Sequence, residues 1–297
     1  VIIQLFIFLI TLVIVTKKFV KLKLEFDLNF SKKILKLAFP FSLAVIFAGI
    51  YFHIDNVMLS IMKGDISVAV YSAAYNITLA LLFIPSMYSF AIYPILSRYY
   101  ESDKKKVDFI YERSFKYLFM LGLPISVGLY IIAQNIILFI YGPNYATSII
   151  VLKILAWFIL FKFISFLTGI LLSSINKQKF RMYGQGTAAF ANLGLNFILI
   201  PKYSFIGAGI ATIASELILF TITFIFVSKY FHIFNVFKIL YKPILAVAVM
   251  TLAIIFLEIN MFLLIFIGAA IYFITLYLLK AFDERDRSLM KNIVKTR

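Results

Sequence analysis

The sequence predicts an all-α protein, a polytopic bundle of about nine transmembrane helices, the first of them partial. Three observations carry this. The 297 residues have a mean hydropathy of +1.02, with 63% hydrophobic and 14% charged, too little polar side chain to cover a soluble surface. Apolar runs near the ~20 residues that cross a hydrocarbon core recur along the whole chain. Lys and Arg alternate with those runs: 25 of the 29 fall in one set of connections and only Lys63 and Lys202 in the opposite set. That asymmetry is the positive-inside pattern and puts the tail on the cytoplasmic side. It also explains the net charge of +16 through attraction to an anionic leaflet, so no nucleic-acid partner is expected.

In chain order the spans are 1–16, 39–62, 67–96, 117–140, 147–173, 183–200, 206–228, 243–257 and 261–280. Residues 1–16 lack both a leading basic region and a small-residue cleavage site, so they do not read as a signal peptide. They read as the end of a span whose start lies upstream. Residues 17–38 form a basic cytoplasmic linker. Lys21 to Phe30 alternates polar and apolar residues, and Ser31 is placed to cap an interfacial helix that feeds the next span at Pro40; an ordinary basic loop is the plainer reading. Pro85 and Pro124 are expected to kink their helices. GPNY at 142–145 and PKYSFIGAG at 201–209 are turns in short outer loops. There is no cysteine and there are two histidines, His53 and His232, so neither a disulfide framework nor a metal site is expected. No nucleotide loop or catalytic constellation marks an enzyme, and no cofactor is called for.

Ionisable residues inside spans are costly, on the order of 2.5–3.5 kcal/mol near the bilayer centre, and face a bundle interior or a wet cavity. Asp55 coordinates an ion or gates a substrate, or fixes packing through an interhelical hydrogen bond. His53 points to another side of that helix and shares a side with Asn56. Glu216 lies deep in the 206–228 span, with Thr212 and Thr223 on its face. It binds a proton or Na⁺, or pairs with a lysine. Lys153 and Lys162 sit nine residues apart and project to opposite sides of one helix. Lys153 is near enough to the outer end to snorkel; Lys162 is deeper and meets an anionic substrate or Glu216. Gln185, Asn192 and Asn196 line one face of the 183–200 span, as helix-to-helix glue or as a cavity wall. Gly184, Gly186 and Gly194 allow close helix approach there.

The run from Pro40 to Tyr100 resembles the seventh and eighth helices of polysaccharide-type flippases. Its Pro40, Ile54–Asp55, Gly64, Tyr71 with Ala74 and Tyr75, Pro85, and Pro94 with Leu96 and Ser97 stand in the family's order. LFIYGPNYATSIIVLKILAW and IPKYSFIGAGIATIASE are similar to two further turns of that family. On these residues the chain is similar to the oligosaccharide flippase branch of the multidrug/oligosaccharidyl-lipid/polysaccharide exporter superfamily. The resemblance implies two six-helix lobes around a central cavity, followed by two extra helices. Residues 1–16 would then end the first lobe, 17–38 link the lobes, 39–228 form the second lobe, and 229–297 hold a C-terminal hairpin and basic tail. The first lobe lies outside this chain, or a partner supplies it. The resemblance further implies alternating-access flipping of a lipid-linked oligosaccharide, with membrane lipids and glycan-assembly enzymes as partners. Lys162 and Lys153 would hold the phosphate, with Gln185, Asn192 and Asn196 as cavity residues. Asp55, Glu216 or His53 would couple the cycle to Na⁺ or H⁺. Alternatives are a cation-coupled drug exporter, a non-transporting scaffold, and a membrane enzyme using His53 and Asp55.

Overall fold

A bilayer offers backbone N–H and C=O groups no partner but each other, so long apolar runs close into helices. A computed structural model describes residues 2–18, 27–231, 235–257, 259–282 and 286, and among them there is no strand. Seven helical stretches are long and apolar enough to cross a membrane, and one of these contains two of the expected spans. The chain divides into two compact units, residues 1–39 and 40–297.

The first unit holds helix α1 (Ile2–Lys18) and the start of α2 (Leu28–Lys63). Lys17 and Lys18 close α1, where cations favour the negative end of the helix dipole. Helix α2 does not start at Ser31. The Asp27 carboxylate accepts from the N–H groups of Asn29 (2.8 Å) and Phe30 (3.1 Å) and so caps the helix, leaving Ser31 as its fourth residue. Nor does α2 pause at Pro40, which sits inside it. The alternating stretch lies, through residue 26, outside the described residues.

In the second unit, Gly64 at φ +80 makes the tight turn from α2 into α3 (Asp65–Leu81), a conformation that a Cβ would strain. Pro85 has no N–H, and α3 yields to α4 (Phe83–Ser102) just before it. Pro124 leaves α5 (Lys104–Ile131) continuous. It frees the Met120 carbonyl, which accepts from the Tyr272 hydroxyl at 2.7 Å instead. Helix α6 (Ala133–Tyr141) and the turn Pro143–Tyr145 lead into α7 (Ser148–Ser174).

Helix α7 is the axis of the unit: 20 of its 27 residues are buried, and it touches α3, α4, α5, α6 and α8. Helix α8 (Gln178–Ser228) is two arms broken at Ser204, whose φ of 51 and ψ of −132 are not helical. The arms fold side by side so tightly that a Cβ on Gly207 would lie 2.4 Å from the Leu199 carbonyl oxygen. Lys63 donates to the Pro201 carbonyl at 2.8 Å, anchoring this reversal. Helices α9 (Val236–Ile254) and α10 (Met261–Leu278) pack on each other and on α5. Large apolar side chains such as Ile66, Phe237 and Phe256 stand more than 80% exposed, as expected where lipid is the solvent.

Candidate functional site

Folding α8 back at Ser204 brings its two polar faces together. Asn192 and Asn196 are one turn apart on the first arm; Thr212 and Glu216 are one turn apart on the second. A straight helix would hold Asn196 and Thr212 about 24 Å apart. Here both bond Asp55 of α2. The Asn196 amide donates to Asp55 Oδ1 at 2.5 Å, and the Thr212 hydroxyl donates to Oδ2 at 2.7 Å. From α3 the Tyr71 hydroxyl donates to Oδ2 at 2.6 Å. Asn196 also donates to Asn192 Oδ1 at 3.1 Å. Asp55 is 1% exposed, and Tyr71, Asn192 and Asn196 are fully buried. No basic side chain among the described residues pairs with Asp55.

One helical turn away is a second carboxylate with a different neighbour. Lys162 of α7 donates to Glu216 Oε2 at 2.8 Å, and Tyr51 of α2 donates to the same oxygen at 2.9 Å and to the Thr212 carbonyl at 3.2 Å. The Lys162 ammonium lies within 4.7–5.9 Å of the rings of Tyr51, Phe52, Phe158 and Phe166. An ammonium desolvated against ring faces gains cation–π attraction on the order of 2 kcal/mol. Of the two fates open to Lys162 in the sequence, the structure shows the pairing with Glu216.

Several buried atoms in this belt have no hydrogen-bond partner: Asn196 Oδ1, Asn192 Nδ2, Tyr75 Oη and Glu216 Oε1. Tyr75 stacks on Tyr71 at 5.4 Å. Helix α2 meets the bundle here through Tyr51 and Asp55, with Phe47 against Gly186 further along. The polar belt is therefore a principal contact between α2 and the rest of the second unit.

The other expected site residues stand apart. His53 is exposed and faces an open groove of about 730 Å³, lined also by Phe52, Leu79, Phe83 and Phe166. Phe52 and Phe166 thus lie between that groove and Lys162. Asn56, on the His53 side, accepts from Ser72 at 3.1 Å. Gln185 shares the face of Asn192 but lies two turns back, half-buried, with its Oε1 unpartnered. Lys153 sits 5.5 Å from the Tyr130 ring and does not reach the belt. His232 lies outside the described residues. No group of three or more His, Cys, Asp or Glu side chains among the described residues forms a metal-binding cluster. Tyr71 and Tyr75 stand in the sequence only as motif residues, with no contact to a carboxylate expected of them, and Tyr51 carries no expectation at all. Tyr51 stands four residues before Asp55, and Tyr71 four before Tyr75, and that spacing was the available signal.

The fold and sequence match known proteins. The model of the MatE family matches residues 40–198, more than half of the chain. "Probable flippase AglR" of Haloferax volcanii is 25% identical over 169 residues, 56% of this chain and 35% of the relative. "Capsular polysaccharide biosynthesis protein CapF" of Staphylococcus aureus is 24% identical over 208 residues, 68% of this chain and 52% of the relative. The inward closed conformation of "Lipid II flippase MurJ" superposes with a TM-score of 0.70 at 20% identity, covering 92% of this chain and 59% of MurJ. The chain thus spans about half or less of the length of these two curated relatives. On the family match over more than half of its length, the chain belongs to the MatE family of membrane transporters, within the multidrug/oligosaccharidyl-lipid/polysaccharide exporter superfamily.

Proposed function

We propose that this chain works in flipping a lipid-linked oligosaccharide across the cell membrane by alternating access, coupled to Na⁺ or H⁺ at Asp55. The relatives named as flippase and capsular polysaccharide protein support the substrate class. Residues 39–228 serve as the second lobe, with the first lobe supplied by chain outside these residues or by a partner. The basic connections and the C-terminus face the cytoplasm, in keeping with the Lys and Arg distribution.

One observation carries the coupling proposal: Asp55 is buried among three neutral donors, with no cation beside it among the described residues. A lone carboxylate charge in such surroundings is stable only when a proton or a small cation neutralises it. The residues fit a hard cation. Asp55, the Asn192 and Thr212 oxygens, and the idle Asn196 Oδ1 form an oxygen donor set, and an amide's O and N ends exchange by rotation about one bond. The same groups tie α2 to α3 and to both arms of α8. Filling or emptying the site would therefore tighten or release α2, a two-state element whose balance an ion can bias.

The test is flipping of a fluorescent polyprenyl-diphosphate oligosaccharide in proteoliposomes, under imposed Na⁺ or proton gradients. Asp55→Asn keeps the shape of the site and removes its charge. Loss of the gradient response in that variant, with the melting temperature in detergent retained, supports the proposal. A variant that still answers the gradient as wild type does would sink it.

A further inference from the structure

Away from the carboxylate belt, a cavity of about 550 Å³ opens between the start of α5, the start of α9 and the end of α10. Its wall brings together Arg113, Lys116, Lys238, Lys242 and Lys280. Two carboxylates oppose these five cations among the described residues, Glu112 on the wall and Asp286 beneath it. Asp286 is fully buried. It accepts from Arg113 Nη1 at 2.8 Å, Lys116 Nζ at 2.5 Å and the Tyr117 hydroxyl at 2.6 Å. Lys242 donates to the Lys280 carbonyl at 2.8 Å, and Lys280 itself is held at φ +50, a left-handed conformation uncommon for a side chain of its size. The lysines of α9 and of the α10 end thus share the wall with Arg113 and Lys116, which Asp286 holds in place.

Gathered cations with too few carboxylates repel one another, and an anion entering between them removes that repulsion. Phosphate oxygens suit such a wall, because each accepts several charge-assisted N–H donors. Of the rest of the wall, Met120, Ile239, Pro243 and Ala281 are apolar and stand beside Asn235 and Tyr241. The apolar part has nothing to offer free phosphate and suits the glycerol and upper acyl carbons of a lipid. The cavity lies where α5 begins, α9 begins and α10 ends, the same face of the membrane as the basic connections, at headgroup level.

We infer that this cavity binds the phosphodiester headgroup of an anionic membrane phospholipid, clamping the α9–α10 hairpin to α5. The site is separate from Asp55 and does not depend on what the protein transports.

Native mass spectrometry of the purified chain, with phosphatidylglycerol and phosphatidylcholine offered together, tests the inference. Wild type is expected to retain phosphatidylglycerol roughly tenfold better, a difference of about 1.4 kcal/mol. Lys238→Gln with Lys242→Gln should abolish the preference. Lys238→Arg with Lys242→Arg should keep it, as should removal of two charges elsewhere by Lys17→Gln with Lys18→Gln. Three results overturn the inference: equal retention of both lipids by wild type, an unchanged preference in the glutamine pair, or displacement of phosphatidylglycerol by millimolar inorganic phosphate, which would assign the site to free phosphate. If the glutamine pair fails to fold, the wild-type lipid and phosphate competitions decide alone.

Discussion

Asp55 and Glu216 are the same chemical group at the same degree of burial, and Thr212 stands between them, yet their neighbours give them different work. Each accepts a phenol, Tyr71 for Asp55 and Tyr51 for Glu216. Only Glu216 has an ammonium at 2.8 Å. Its charge is neutralised inside the protein, and the pair ties α7 to the second arm of α8. Asp55 has an amide, a hydroxyl and a phenol, all neutral, and no cation beside it among the described residues, and the proposed ion coupling rests on that difference. Between these two, the carboxylate without a cation is the one we propose exchanges an ion.

The largest effect that tests this contrast is Lys162→Met. Removing one partner of a buried pair leaves an uncompensated charge and costs about 3–5 kcal/mol. The variant should melt far below wild type in detergent, and adding Glu216→Gln should recover most of the loss. A Lys162→Met protein as stable as wild type would mean that Glu216 carries no charge to balance, and the contrast would fail. The tyrosines come next. Tyr51→Phe and Tyr71→Phe each remove a hydrogen bond to a carboxylate, about 1.5–3 kcal/mol. They should separate in a second readout, the rise in melting temperature when Na⁺ replaces a bulky organic cation or when pH falls. Tyr71→Phe should diminish that response and Tyr51→Phe should preserve it. The opposite pattern would move the ion to Glu216.

Much of this site was legible in the sequence because a polar residue in an apolar span stands out against its surroundings. Asp55, Glu216, Lys162, Asn192 and Asn196 were all visible for that reason, and the meeting of Lys162 with Glu216 was among the expected alternatives. The roles of Tyr51 and Tyr71 were not visible, although Tyr71 stands in the family motif, since a phenol counts as apolar bulk until its hydroxyl is seen to reach a carboxylate. Gln185 shows the limit of face counting: seven residues return a side chain to the same face but move it ~10 Å along the axis, beyond reach of Asp55. Thr212 shares the face of Glu216, but its hydroxyl turns to Asp55. The spans themselves were legible from hydropathy. The start of α2 was not, because Asp27 and Ser31 are both good caps and only the backbone path chooses between them. The reversal of α8 coincides with Pro201 and the glycines after it, although the helix resumes with a single residue, Ser204, out of helical geometry.

Thr212→Val is a smaller perturbation. It removes one of three donors to Asp55 and leaves Tyr71 and Asn196 in place, so a loss of about 1 kcal/mol is expected. A weaker response to Na⁺ should accompany it if the hydroxyl oxygen belongs to the ion site, and an unchanged response would confine Thr212 to packing.

The smallest effect belongs to the other lysine of α7, and it isolates what burial does to an identical side chain. Lys153 and Lys162 share one helix, but Lys153 is only half-buried and its ammonium has a single ring, Tyr130, at 5.5 Å, against the four rings and the carboxylate around Lys162. A partly solvated cation–π contact is worth about 0.5–1 kcal/mol. Lys153→Gln should therefore lower stability by no more than that, several-fold less than Lys162→Met in the same melting experiment. If the two variants fell equally, the stability of α7 would depend on charge at any depth, and the distinction between a paired and an unpaired buried group would lose its footing.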